Sequence, residues 1–143
     1  MFDTSVAVKF YVPEEGKERA EKLLASATAG EVELLAPATL MPKGYNAVWQ
    51  QHRRGEMSLG EVRETWARFD GVPAALYATE DLISRWGEIT ADTGVIVYDA
   101  LFLALAEDEN IVMVTADGKL LQRLEGTDFA SLAVHLTSVE SLL

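Results

Sequence analysis

Short apolar runs alternate along this chain with longer segments of helical period, and that alternation restricts the fold more than any other feature. The clearest run is Ile111-Val112-Met113-Val114, of core-strand type. Val32-Glu33-Leu34-Leu35-Ala36 is a second strand candidate, stopped by Pro37. Residues 72–79 form an extended segment, and Ala133-Val134-His135-Leu136 is a last strand candidate. Strands separated by helices of about ten residues or more pair in parallel, because a tight turn cannot return the chain in the same direction. The pattern therefore predicts an α/β fold, a three-layer α/β/α arrangement with a central parallel sheet. The chain has 143 residues, 49% of them apolar, enough for one domain over 1–143 with its own core.

The helical segments have readable edges. Residues 14–28 place Ala20, Leu23, Leu24 and Ala27 at helical spacing, with Pro13, Glu14 and Glu15 at the start and Gly30 at the end. Residues 38–53 read as a helix carrying two interruptions, Pro42 and Gly44, both poor in a helix interior. Ser58 and Glu61 form a capping box for a helix that runs to about Phe69. Asp81 to about Ala91 has Leu82, Trp86 and Ile89 on one stripe. Tyr98–Asp108 is the most apolar helix and is predicted to be the most buried. A short helix follows over Asp117–Leu124.

Composition narrows the chemistry. Twelve basic and 23 acidic residues give a net charge of −11, which opposes passive binding to phosphate backbones or anionic membranes. An acidic pocket bridged to phosphate by a metal ion escapes that objection. There is no cysteine, so disulfides, thiolate metal sites and thiol nucleophiles are excluded. The longest apolar run, Ala100–Ala106, is far short of the roughly 20 residues that span a bilayer, and the N-terminus has no signal-peptide pattern. The expectation is a cytoplasmic protein that does not enter a membrane.

In parallel sheets, ligands bind beyond the carboxyl ends of the strands. Three aspartates are placed for that edge: Asp3, at the chain's start; Asp117, after the clearest strand; and Asp99, at the head of the buried helix. Each is also an ordinary helix-start residue. Together, three converging carboxylates repel one another unless a cation lies between them. A hard divalent ion, Mg²⁺ or Mn²⁺, held by carboxylates and water suits phosphodiester chemistry.

The sequence resembles a PIN domain of the VapC toxin ribonuclease type. The matching pieces are Asp3-Thr4-Ser5-Val6-Ala7-Val8-Lys9-Phe10 with Val12-Pro13-Glu14, then Asn46-Ala47-Val48-Trp49, Tyr98 to Ala106, and Val114-Thr115-Ala116-Asp117 with Leu120-Leu121. They occur in the family's order, across nearly the whole chain. The resemblance implies a metal-dependent endoribonuclease, an RNA substrate, a small VapB-like antitoxin partner and a homodimer. By the same resemblance Asp3, Asp99 and Asp117 are catalytic residues and metal ligands. Ser5 and Thr115 occupy the accompanying hydroxyl positions, and Asn46 matches an asparagine one turn after the family's second acid.

That second acid is missing. Its position holds Lys43, between Pro42 and Gly44. The lysine either points to solvent or puts its ammonium among the aspartates in place of a metal. A second departure is the start, where only Met1 and Phe2 precede Asp3 and leave little room for a strand. Two readings follow: a Mg²⁺- or Mn²⁺-dependent ribonuclease, or a catalytically impaired module that binds an antitoxin or RNA. His52-Arg53-Arg54 suits a helix C-terminus before Gly55, and Trp49, Trp66 and Trp86 suit core packing or a partner groove.

Overall fold

The structure is a computed structural model that describes residues 1–143. Its helices are α1 (Thr4–Lys9), α2 (Lys17–Thr28), α3 (Leu40–Arg53), α4 (Leu59–Phe69), α5 (Ile83–Thr93), α6 (Val97–Asp108) and α7 (Gly118–Leu124). Its strands are β1 (Leu35–Pro37), β2 (Ala75–Tyr77), β3 (Met113–Thr115) and β4 (Ala133–His135). Short 3-10 turns cover Glu80–Leu82, Ala130–Leu132 and Leu136–Ser141.

All strand pairings are parallel. β1 pairs with β2, Ala36 opposite Leu76, and β3 pairs with β4, Val114 opposite Val134. Phe2 joins the two ladders. It bridges Val114 in parallel, and its own N–H donates to the Leu35 carbonyl at 3.4 Å. The Asp3 N–H donates to Val114 O at 3.1 Å, and the Val114 N–H to Met1 O at 2.9 Å. The central strand position is thus filled by one or two residues, as short as the sequence suggested. The fully buried Phe2 ring packs 5.4 Å from Phe10. This anchors Asp3 at the carboxyl edge of the sheet.

The apolar helix lies at the centre, as its composition predicts. In α6, Ala100 through Ala106 are all buried, and the helix packs on β1 and β3. Removing that much apolar surface from water is the main driving term for such a core.

Several boundaries differ from the sequence reading. The helix expected from residue 14 starts at Lys17, because Gly16 takes a left-handed φ of 83° and serves as its N-cap. Glu14 instead lies in the preceding turn, bound to Lys9 and Gln51. Pro37 belongs to β1 rather than stopping short of it; the next amide, Ala38 N–H, carries the pairing onward to Tyr77 O at 2.8 Å. Asp99 does not open α6. Ile96 is the N-cap and Asp99 sits in the first turn.

Pro42 and Gly44 do not interrupt α3. Pro42 is its third residue, where an amide would have no intrahelical partner anyway. Gly44 is buried against α4, and a Cβ there would fall 2.1 Å from Phe69 Cζ. Glycine is therefore the residue that lets α3 and α4 approach. The capping box of α4 is present in full, with Ser58 Oγ accepting from the Glu61 N–H and Glu61 accepting from the Ser58 N–H.

Candidate active site

Asp3 is the N-cap of α1, as its position after the first strand predicts. Oδ1 accepts from the Val6 N–H at 3.2 Å and from Ser5 Oγ at 2.6 Å. Oδ2 accepts from Thr115 Oγ1 at 2.5 Å. The two hydroxyls also hold the β3–α7 turn. Ser5 Oγ accepts from the Ala116 N–H at 2.8 Å, and Thr115 Oγ1 from the Asp117 N–H at 3.0 Å. With both hydroxyl protons directed to Asp3, the 3.3 Å approach between Ser5 and Thr115 is a contact the carboxylate enforces. Burial pushes the Asp3 carboxyl above its ordinary range. That desolvation outweighs the opposing pull of Ser5, Thr115, the Val6 amide and the Lys43 charge.

Lys43 points inward. With Gly44 turned to Phe69, the preceding residue on α3 faces α6. Its Nζ stands 3.4 Å from Asp99 Oδ1, with both side chains about a quarter exposed. The ammonium also lies 5.1 Å from the Phe102 ring centroid and 5.9 Å from that of Tyr98. Carboxylate on one side and ring faces on others stabilise a cation at this point.

The remaining predicted residues are more peripheral. Asp117 is exposed, and its Oδ1 caps α7 by accepting from the Lys119 and Leu120 amides at 2.9 and 3.1 Å. Asn46 is exposed one turn beyond Lys43, and its Oδ1 accepts from Gln50 Nε2 at 3.4 Å. The structure does not gather Asp3, Asp99 and Asp117 into one ion-binding group. No three His, Cys, Asp or Glu side chains stand close enough to hold a metal.

The sequence matches the PIN domain family over residues 1–126. This chain belongs to the PIN-domain family. It is 30% identical over 125 residues to Ribonuclease VapC3 of Pyrobaculum aerophilum, covering 85% of this chain and 91% of that protein. The fold is also that of a crystal structure of PAE2754 from Pyrobaculum aerophilum, with a TM-score of 0.71 at 17% identity over 99% of this chain and 91% of the other.

VapC-type PIN domains imply a divalent metal at this edge. The side chains as they stand do not fit one. Asp3, Asp99 and Asp117 do not form one close group, and Asp99 is paired with an ammonium. A like charge 3.4 Å from Asp99 opposes entry of a dication.

Sequence reasoning missed the neighbours of this site. Tyr98, Thr4 and Thr39 line one cavity of about 580 Å³ with Lys43 and Asn46. Thr4 and Tyr98 lie inside the family-like segments without being singled out there, and Thr39 had only its position before α3 as a signal. The basic patch resolves into local structure, with His52 Nδ1 on Met57 O and Arg54 paired to Glu56. Trp66 is half-buried, stacked 5.0 Å from Tyr45, and donates to the Tyr45 carbonyl.

Proposed function

We propose that this PIN-domain chain is a VapC-type toxin of a toxin–antitoxin pair, acting on RNA, whose endoribonuclease centre is impaired by Lys43. The observation that carries this reading is the 3.4 Å pairing of Lys43 with Asp99. A positive side chain stands where a fourth carboxylate would complete an acidic cluster, so the protein engages RNA without assembling a competent metal centre. Similarity to a ribonuclease over most of both chains supports the RNA substrate and a VapB-like antitoxin partner. A homodimer and a cytoplasmic location belong to the same reading. No single helix is long and apolar enough to cross a membrane.

RNA cleavage and calorimetric Mn²⁺ binding, measured for the protein and for Lys43→Glu, test the proposal. The expected result is metal binding and cleavage in the variant only. Equal activity in both proteins overturns it, as does inactivity in both. Co-expression with the neighbouring gene tests the partner: a stable complex is expected, and a protein that never retains that product rejects this part.

A second reading has its own support. Asp3, Ser5, Asp99 and Thr115 are all present at the carboxyl edge of a parallel sheet. If Lys43 swings out, two carboxylates with water and substrate phosphate suffice for Mg²⁺ or Mn²⁺. This active ribonuclease is the outcome in which the unmodified protein cleaves RNA with Mn²⁺.

A further inference from the structure

We propose that the cavity beside Lys43 is a metal-independent nucleotide subsite, in which the Lys43 ammonium and the Asn46 amide take a phosphodiester and Tyr98 stacks a base. This rests on the reading that the protein acts on RNA.

The cavity is lined by Thr4, Thr39, Pro42, Lys43, Asn46 and Tyr98, with Ala47 at its wall. The hydroxyl oxygens of Thr4 and Thr39 are fully buried, so these two residues shape the wall without donating into the cavity. The Lys43 ammonium has three donors and one acceptor, Asp99. Asn46 uses its carbonyl oxygen on Gln50, which leaves the amide N–H₂ to donate. Lys43 and Asn46 thus bring spare N–H donors to this wall, as an anion requires. Tyr98 is 59% exposed beside them, and its ring offers a face to a base.

Ammonium, amide and aromatic face together match one nucleotide of a single strand, and they do so without a metal. A neighbouring cleft of about 380 Å³ shares Thr4 and Ala47 with this cavity, and in it Lys9 is paired with Glu14.

The experiment is anisotropy of a short, labelled single-stranded oligoribonucleotide with the whole protein in EDTA, over a range of salt. Binding is expected, weakened about tenfold or more by Lys43→Ala and similarly by Tyr98→Ala. Loss of the Lys43 phosphate contact should also lower the log–log salt slope by about 0.7. Asn46→Ala serves as a milder probe, with thermal melts showing that each variant is folded. Folded variants that bind as tightly as the native protein, with unchanged salt slope, overturn the subsite. So does a native protein that binds no RNA in EDTA. The two proposals separate cleanly. If Lys43→Glu cleaves RNA with Mn²⁺ but the native protein shows no EDTA-resistant binding, only the subsite fails. If native binding depends on Lys43 and Tyr98 but Lys43→Glu never cleaves, only the impaired-nuclease reading fails.

Discussion

The Lys43 ammonium stands 3.4 Å from Oδ1 of Asp99 and 5.1 Å from the ring of Phe102. A helix on one side of the cleft supplies the cation, and the buried helix opposite supplies both the anion and the ring. Removing the lysine while adding a carboxylate changes the local charge by two units. Lys43→Glu should therefore create Mn²⁺ affinity measurable by calorimetry, while the native protein shows none. Heat of binding equal in both would reject the ammonium as the obstacle.

Gly44 permits the contact that aims Lys43. A methyl group there would overlap Phe69, itself fully buried. Gly44→Ala is expected to lower stability by about 1–3 kcal/mol, the usual range for overpacking, despite alanine's better helix propensity. Urea denaturation checks this. Adding Phe69→Leu should recover part of the loss, and a Gly44→Ala protein as stable as the native one would contradict the packing argument.

Thr115 holds Asp3 through Oδ2 and also satisfies the Asp117 amide. The residue is fully buried, so neither group regains water when the hydroxyl is removed. Thr115→Val should cost about 2–3 kcal/mol, in the range for a buried hydrogen bond to a charged group. A double-mutant cycle with Asp3→Asn should show coupling between the two sites. Additive effects would mean that the bond contributes little.

Asp3 has a carboxyl raised by burial. A folded-state pKa above the unfolded one means that ionised Asp3 opposes folding at neutral pH. As pH falls through the raised folded value, the native state takes up the proton first and this opposition is relieved. The relief is complete near the unfolded value of about 4. The stability of Asp3→Asn relative to the native protein should therefore fall as pH is lowered from 7 toward 4, on top of a pH-independent cost for the acceptor the amide cannot replace. Stability curves for both proteins across that range provide the measurement. A relative stability that grows on acidification would reverse the sign.

Periodicity and spacing carry far in this chain because they report local physics. The Ser58–Glu61 capping box, the strand at Met113–Thr115, the buried α6 and the N-capping roles of Asp3 and Asp117 all follow from neighbours a few residues apart. The PIN-domain family was also readable, since its motifs are short stretches in a fixed order. Long-range approach was not. Pro42 and Gly44 looked like helix faults until Phe69, 25 positions beyond Gly44, showed why a side chain is excluded there. The direction of Lys43 depends on that same approach, and its partner Asp99 lies 56 residues away. The opened cavity with Thr4, Thr39 and Tyr98 likewise joins three segments distant in sequence. Local residue types determined which helices, strands and caps form. Only packing of α3 against α4 and α6 decided that this lysine turns into the cleft, because side-chain direction is set by which face of a helix its neighbours can bury.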